Sequence, residues 1–136
     1  MPRLDASVIE VVCALIENNP GRVLACRRGP GRALAGFWEF PGGKLEHREA
    51  PESALRRELL EELGCEVRLV QQLTAVEHRY DHLHIRLLPW RCLLTGGTLE
   101  AREHEELRWI DPQDGDALNW APADVPVWRE WCGLQR

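Results

Sequence analysis

The sequence contains no long apolar run and no export signal. None of its apolar segments approaches the roughly 20 residues that a membrane-spanning helix needs. The first seven residues, MPRLDAS, lack the basic-then-apolar order of a secretory signal. These absences predict a protein that has no membrane partner and is located in the cytoplasm.

Paired cysteines are also missing. The five cysteines are odd in number, lie far apart and show no C-x-x-C spacing. Most of them fall within apolar runs, which is typical of buried thiols in a reducing compartment. The residues concerned are Cys13, Cys26, Cys65, Cys92 and Cys132.

The chain has no excess of basic residues. Its 22 acidic and 17 basic residues give a net charge of -5. A general nucleic-acid-binding protein usually carries a basic surface, so we expect no nucleic-acid partner. An acidic protein can still bind a polyphosphate if divalent cations lie between the two sets of negative charge.

The remaining composition is that of a globular domain. With 44% hydrophobic and 29% charged residues, the 136-residue chain is long enough for one core and too short for two domains. β-Branched and apolar runs, separated by Pro- and Gly-containing turns, predict strands over much of its length. The predicted strands cover residues 8–16, 22–26, 37–40, 67–80, 83–94 and 107–110.

One long helix is predicted between residues 51 and 63. Pro51 suits the first turn, leucines recur every fourth residue at 55, 59 and 63, and Gly64 suits a left-handed end. Asp111 and Asp124, each close to a proline, resemble the N-caps of two further helices. Strands, a long helix, more strands and a final helix predict an α+β fold, with a mixed sheet between helices.

The long helix carries an unfavourable group of charges. Glu58, Glu61 and Glu62 are three or four residues apart, so their carboxylates can converge on one side. The helix dipole also disfavours anions in the last turn. One interpretation is a solvated acidic face, partly neutralised by Arg56 and Arg57. The other is a site for a hard cation, because the preceding Gly-rich segment can add carbonyl oxygens.

The segment 43–65 reads G-x5-E-x7-R-E-L-L-E-E-L-G-C. It resembles the signature box of the Nudix hydrolases, which ends on a bulky aliphatic residue. Cys65 takes that last position here, and a buried cysteine behaves as a small hydrophobe. The segments WEFPGGKLE, GTLEAREHEELRW and APADVP look like the MutT-type branch of the family. Within that branch, the likeness is greatest to enzymes that hydrolyse CTP and oxidised or 5-substituted deoxynucleotides.

The resemblance implies a single Nudix domain over residues 1–136, an α/β/α sandwich. It implies two or more Mg²⁺ ions, with Mn²⁺ as a substitute, that bridge the substrate phosphates. Arg57 would orient the carboxylates, and Glu49 would hold the loop on the helix; the alternative for Arg57 is a surface ion pair with Glu61. The implied metal ligands are the Gly42 carbonyl, Glu58, Glu61, Glu62 and a further glutamate.

Glu103 aligns best with that further glutamate, which serves as a metal ligand or base. Glu105 and Glu106 compete with it, and an ordinary acidic loop is the alternative for all three. Arg28 stands where MutT-like enzymes place an arginine on the nucleotide phosphate. Arg27 is its possible substitute, and a solvated basic loop is the alternative.

Recognition of the nucleotide base is expected from a different part of the chain. Asp124 occupies the position at which the MutT branch has an Asn or Asp that hydrogen-bonds the base. An ionised Asp124 could accept from a cytosine amino group, whereas a protonated one could donate to a purine. Tyr80 and Trp120 are the favoured aromatic candidates, ahead of Phe37 and Trp38, although most tryptophans are expected in the core. Lys44 completes the expected substrate-binding residues, and no histidine is given a role.

The reaction implied is attack of water on an internal phosphorus, which yields a nucleoside monophosphate and pyrophosphate. The box fixes this chemistry but not the substrate. Hydrolysis of ADP-ribose, dinucleoside polyphosphates or capped RNA is therefore a second hypothesis, and a non-catalytic nucleotide-sensing module is a third. The expected partner is a small nucleotide, bound by a monomer or a homodimer.

Overall fold

A computed structural model describes residues 8–19, 21–81 and 83–135 of the chain. Within these residues lie eight strands, three α-helices and one 3₁₀ turn, Pro122–Asp124. The strands are β1 Val8–Asn19, β2 Arg22–Arg28, β3 Trp38–Glu39, β4 Gly42–Lys44, β5 Cys65–Gln72, β6 Val76–Tyr80, β7 Leu83–Gly97 and β8 His104–Ile110. The helices are α1 Pro51–Leu63, α2 Pro112–Gly115 and α3 Val125–Leu134.

The strands form one mixed sheet around β1 and β7. These two long strands run parallel, with Val8 opposite His84 and Glu17 opposite Leu93. The main order is β3-β2-β1-β7-β5; β4 also pairs with β1, β6 with β7 and β8 with β2. Among the described residues, no helix is long and apolar enough to cross a membrane.

Both faces of the sheet carry a hydrophobic core because β1 is apolar on both sides. Val12, Ala14 and Ile16 face the cluster that includes the leucines of α1, whereas Cys13 and Leu15 face the cluster around α3. Helices thus cover both faces of a mixed sheet. The predicted α+β sandwich is confirmed.

The long helix has the bounds that its sequence predicts. Pro51 opens it, and Gly64 follows it in the left-handed conformation with φ of 71°, donating its N–H to the Leu60 carbonyl. Leu55, Leu59 and Leu63 have no exposed surface. Burying each such side chain contributes about 1.5–3 kcal/mol, which fixes the orientation of the helix on the sheet.

The strand predicted over residues 67–80 is wrong as a single element. It divides into β5 and β6, and Leu73 between them donates its N–H to the Pro89 carbonyl of β7 at 2.9 Å. Pro89 has no N–H to return, so the ladder loses a donor where β5 leaves it. Both segments still pair with β7, one on each side of this break.

The Gly-rich segment after β3 forms a further strand. The predicted strands include 37–40 and stop before this segment, but residues 42–44 form the short strand β4 against β1. A Cβ on Gly42 would overlap the backbone carbonyl of Val12. Glycine is therefore what allows this backbone to approach β1, and the approach brings the segment into a sheet.

The last helix is held by a partly buried acid. Trp131, which has no exposed surface, donates its Nε1–H to Glu17 Oε2 at 2.7 Å. Arg91 donates to both oxygens of the same carboxylate, at 2.9 and 3.2 Å. This three-residue contact fixes α3 on β1 and β7, and with α3 the 3₁₀ turn that precedes it.

The cysteine prediction is confirmed for most positions. All five cysteines belong to the described residues and form no disulfide bond. Four are buried, and Cys132 is half-buried. Burial raises the pKa of the Cys92 thiol to about 12, which keeps it protonated.

Candidate active site

A cavity of about 870 Å³ opens between the N-terminal half of β1, the box helix α1 and the loops around β3 and β8. One end is lined by Glu58 and Glu62 of α1 together with the glycines of β4. The other end is lined by Asp124 and Tyr80. Two of the carboxylates assigned to chemistry and two of the residues assigned to the base therefore line one cavity.

The two α1 carboxylates are in mutual contact beside β4. Glu62 is only 9% exposed, and burial, followed by its hydrogen bond to Glu58 and the Glu58 charge, raises its pKa. Its Oε1 atom is buried and has no hydrogen-bond partner among the described residues. A Cβ on Gly43 would overlap the Glu58 carboxylate, so glycine is what allows the backbone to lie against that group.

This arrangement fits a hard divalent cation. A buried carboxylate oxygen without a partner, next to a second carboxylate, is stabilised when a cation replaces the shared proton. Across the described residues, no three acidic, histidine or cysteine side chains form a complete metal site alone. Mg²⁺ normally uses one or two carboxylates and completes its shell with carbonyls, water and substrate phosphate, which agrees with this geometry.

Arg57 links the helix to the preceding loop. Its Nε and Nη2 donate to the two oxygens of Glu49 at 2.8 and 2.9 Å, and its Nη1 donates to Glu58 Oε2 at 3.0 Å. Nη2 also donates to the Lys44 carbonyl at 3.2 Å. The hydrogen bonds from Arg57 lower the pKa of Glu49 to about 2. Arg57 thus touches the acid, the loop and the strand that border the cavity.

Glu61 is the box residue that the structure keeps outside the cavity. It is exposed on the flank of α1 and receives a hydrogen bond from Arg57 Nη1 at 3.4 Å. This contact matches the surface ion pair that the sequence left open as the alternative for Arg57. The predicted convergence of three carboxylates is therefore observed only for Glu58 and Glu62.

Glu103 reaches the cavity because the preceding loop docks on the end of α1. Arg102 donates to the carbonyls of Leu60 and Glu61 at 3.0 and 3.4 Å, which satisfies the end of the helix. Glu103 then lines the cavity, and its charge contributes to the raised pKa of Glu62.

The two competitors of Glu103 have other contacts. Glu105 and Glu106 lie 3.4 and 3.6 Å from Arg27, and Glu106 also accepts from Arg108. None of these four residues lines the cavity. The geometry thus favours Glu103 over its neighbours and Arg28 over Arg27.

A network that sequence reasoning missed lies at the centre of the cavity. Glu39 accepts from Arg28 Nη1 at 2.9 Å and lies 2.9 Å from His104 Nε2. All three residues line the cavity, and His104 Nδ1 is buried without a partner among the described residues. A signal existed in the segment FWEF, where an acid alternates with the buried Trp38 and Phe40 and must point to the other face.

Asp124 is buried at the opposite end. It precedes α3, but its side chain makes no capping bond; its Oδ2 accepts from the Phe40 N–H at 2.9 Å. The N-cap interpretation is therefore wrong for the side chain, because the carboxylate accepts from the buried N–H of Phe40, the residue that follows β3, instead. Burial, and then the charge of Glu39, raise the pKa of Asp124 to about 8.

Of the two favoured aromatic residues, one lines the cavity and the other does not. Tyr80 lines the cavity and accepts from the Ala123 N–H at 3.1 Å. Trp120 does not line it: the ring stacks on Trp128 at 5.1 Å, and its Nε1–H donates to the Gly115 carbonyl. The structure thus contradicts the choice of Trp120 as a base platform, because its face is used in the core.

The remaining candidates for substrate binding differ in their burial and in their position relative to the cavity. Lys44 lies at the cavity edge with an exposed side chain. Trp38 is buried and is covered by Arg108, whose guanidinium lies 4.8 Å from the ring centre. Phe37 is half-buried outside the cavity.

Comparisons with known proteins identify the relatives of this chain. A family model described as the NUDIX domain matches residues 11–130. The CTP pyrophosphohydrolase of Escherichia coli is 38% identical over 128 residues, which are 94% of each chain. An 8-oxo-dGTP diphosphatase of Haemophilus influenzae is 31% identical and covers 91% of each chain. The solution structure of the E. coli ORF135 protein has a TM-score of 0.83 at 35% identity, over 98% of this chain and 96% of that one.

Proposed function

This chain belongs to the Nudix hydrolases, and we propose that it is a Mg²⁺-dependent nucleoside triphosphate pyrophosphohydrolase in which residues 1–136 act as one catalytic domain. The observation that carries the proposal is the single cavity with paired carboxylates at one end and a buried acid at the other. A nucleoside triphosphate carries its phosphates and its base on one ribose, so a protein that binds both needs one connected cavity.

The phosphate end would bind the reacting group. We assign Glu58, Glu62, Glu103 and the Gly42 carbonyl to the cation, which, when bound, lowers the pKa of water and neutralises charge on phosphate oxygens. Arg57 keeps Glu58 in place from outside the cavity, through the contact at 3.0 Å. Glu61 stays a predicted ligand that would have to turn toward the cavity.

The proposed reaction is hydrolysis at an internal phosphorus of the triphosphate. A water oxygen forms a bond to an internal phosphorus, and the bond from that phosphorus to the bridging oxygen of the leaving pyrophosphate breaks. One water proton passes to a carboxylate of the site and then to solvent. Arg28 and Lys44 would hold phosphate oxygens in position, since the Glu39 contact fixes the Arg28 guanidinium at the cavity wall.

The base end would select the nucleotide. Asp124 already uses Oδ2 to accept from Phe40, so its Oδ1 is the atom left for the base. With a pKa of about 8, Asp124 is protonated at neutral pH and donates to a carbonyl or ring nitrogen of the base. The relatives that hydrolyse CTP and 8-oxo-dGTP support these two substrates, with dCTP and 5-substituted dCTP as further candidates.

A substrate panel with Mg²⁺ tests the proposal. Purified protein should release pyrophosphate, and no orthophosphate, from at least one of CTP, dCTP, 5-methyl-dCTP and 8-oxo-dGTP. Turnover of ADP-ribose into two monophosphates, or of a dinucleoside polyphosphate into a mononucleotide and a second nucleotide that carries the remaining phosphates, would favour the second hypothesis instead. Tight nucleotide binding without any turnover would favour a sensing module.

A further inference from the structure

The loop between β2 and β3 places a second arginine over the cavity. Arg32 Nη2 donates to Glu103 Oε1 at 2.9 Å, and both residues line the cavity. Their side chains are 47% and 41% exposed, so this ion pair lies at the cavity mouth. Neither the sequence patterns nor the proposed reaction gives Arg32 a role.

The base of this loop is fixed while its tip is open. Arg28 exchanges backbone hydrogen bonds with Phe37 and Gly36 at 2.9 and 2.8 Å, and its Nε donates to the Ala33 carbonyl at 2.6 Å. Gly31, with φ of 86°, has no atom within 4 Å of the position of a Cβ. Arg32 therefore follows an unobstructed residue on a loop whose two ends are held together.

Arg28 and Arg32, two of the three arginines that line the cavity, differ in how firmly they are bound. Arg28 has 23% exposure and contacts both Glu39 and the Ala33 carbonyl. Arg32 has Glu103 as the one acceptor recorded for its guanidinium in the described part of the chain. An exposed ion pair of this kind is weak and is easily exchanged.

We propose that Arg32 is a further substrate-binding residue, which Glu103 holds at the cavity mouth in the free enzyme and releases to the substrate polyphosphate. The release occurs when the Glu103 carboxylate exchanges Arg32 for a divalent cation. This inference rests on the proposed function, because it takes Glu103 as a cation ligand.

Two physical reasons support the exchange. A carboxylate that binds a divalent cation gains more than one that binds an exposed monovalent guanidinium, so the pair should separate on cation binding. A guanidinium freed at the cavity mouth matches phosphate oxygens with two parallel donors, which an ammonium cannot do. Arg32 then supplies a positive charge to the polyphosphate only after the cation is in place.

The first test measures cation binding by the free protein. Mn²⁺ is titrated into the wild type and into Arg32→Ala, Arg32→Lys and Glu103→Gln, with detection by electron paramagnetic resonance. Arg32→Ala should bind Mn²⁺ about two- to fivefold more tightly, because a weak competitor has been removed. Glu103→Gln should bind it more weakly.

Arg86→Ala is the matched control for this titration. Arg86 forms a similarly exposed ion pair with Glu10, at 3.1 Å and with 42% and 46% exposure, and does not line the cavity. Its Mn²⁺ affinity should equal that of the wild type. Equal affinities for wild type and Arg32→Ala would overturn the exchange.

The second test measures binding of an α,β-methylene triphosphate analogue with and without Mg²⁺. With Mg²⁺, Arg32→Ala should weaken binding about tenfold, and Arg32→Lys should restore part of the loss. Without Mg²⁺, the wild type and Arg32→Ala should differ less than about twofold, because Glu103 still holds the guanidinium. An equal loss in both conditions would overturn the proposal.

The proposal and the proposed function can fail separately. If the wild type hydrolyses triphosphates and Glu62→Gln does not, but Arg32→Ala changes neither affinity, only the Arg32 exchange is wrong. If the wild type binds neither Mn²⁺ nor the analogue, the proposed function is wrong, and the exchange is wrong with it.

Discussion

Arg57 binds Glu49 through two parallel hydrogen bonds while its third nitrogen holds Glu58 at 3.0 Å. One guanidinium therefore joins the loop before α1 to a carboxylate in the cavity. A lysine cannot reproduce this fork, because its ammonium is a single point charge. The position of Glu58 thus depends on the shape of Arg57 as well as on its charge.

We expect Arg57→Lys to lower kcat by about tenfold or more while the protein stays folded, because Glu58 loses its fixed partner. Steady-state kinetics with CTP and 8-oxo-dGTP, alongside circular dichroism, measure this. Arg56→Lys, at an exposed position on the same helix, is the control and should keep the wild-type kcat. A normal kcat in Arg57→Lys would contradict the orienting role.

The same contact predicts a dependence of stability on acid. The folded pKa of Glu49 is lowered from 4.5 to about 2, so its contribution to stability is complete above pH 4.5 and is lost as the pH falls toward 2. Glu49→Gln should therefore show a flatter decrease of Tm between pH 5 and pH 2. Glu52→Gln, at an exposed position in the first turn of α1, should retain the wild-type slope.

Glu62→Gln should separate stability from activity. The substitution keeps the shape but replaces an acid whose charged form is disfavoured by burial and by the Glu58 charge, so the metal-free protein should unfold at an equal or higher temperature. Turnover should fall at least about 100-fold, the scale of losing a group that stabilises charge in the transition state. A variant that is both unstable and inactive would leave folding as the cause and contradict this prediction.

Divalent cations should stabilise the fold through the same carboxylates. Adding Mg²⁺ in large excess over its Kd should raise Tm, because a ligand that binds only the folded state adds to its stability. Differential scanning calorimetry with and without EDTA measures the shift. In Glu62→Gln the shift should shrink, whereas Glu52→Gln should preserve it.

Asp124→Asn should remove a penalty that grows with pH. The folded pKa of Asp124 is raised from 3.8 to about 8, so the contribution of this residue to stability is complete below pH 3.8 and is lost as the pH rises to about 8. At about 1.4 kcal/mol per pKa unit, the loss reaches several kcal/mol above pH 8. The variant should thus unfold at a higher temperature than the wild type at pH 9, with little difference at pH 4.

The same variant tests how the base is selected. Asparagine can accept from the Phe40 N–H and still donate to a base, as the protonated acid does. A protonated Asp124 can donate to a purine, whereas an ionised one can accept from the amino group of cytosine. In the wild type, the ratio of kcat/KM for 8-oxo-dGTP to that for CTP should therefore fall as the pH rises through about 8. In Asp124→Asn the ratio should stay constant, and a ratio that changes equally in both proteins would rule out Asp124 as the selecting group.

Trp131→Phe tests the attachment of α3. The change removes the donor to Glu17 and part of a fully buried ring, so it should cost about 1–3 kcal/mol in urea unfolding. KM should rise more than kcat falls, because α3 begins next to Asp124. Leu134→Ala, at a 41% exposed position of the same helix, should change neither quantity appreciably.

Local patterns in the sequence predict the helix of the box, but they do not predict structure that depends on contacts with distant strands. Proline, periodic leucines and Gly64 define α1 because each acts within one turn of the helix. The break between β5 and β6 depends on Pro89 in another strand. No pattern within residues 67–80 could indicate it.

The base end shows the same limit. The sequence correctly gives Asp124 a position before the last helix, but its carboxylate binds the N–H of Phe40, which is 84 residues away. Trp120 and Tyr80 are equally aromatic in the sequence, and only the packing shows that one lies in the core and the other in the cavity. Glu39 was missed because its partners, Arg28 and His104, come from two other strands.

Gly43 beside Glu58 and Gly31 in the loop before Arg32 differ in how well they would tolerate a side chain. Any side chain at position 43 would displace the Glu58 carboxylate, whereas position 31 faces open space, although its φ of 86° still favours glycine. In a library of random variants, new substrate preferences should therefore arise from the loop around Arg32 and from the surroundings of Asp124. Selection for a different nucleotide would then leave the hydrolytic chemistry unchanged. Substrate preference depends on positions that tolerate substitution, whereas catalysis depends on positions that do not.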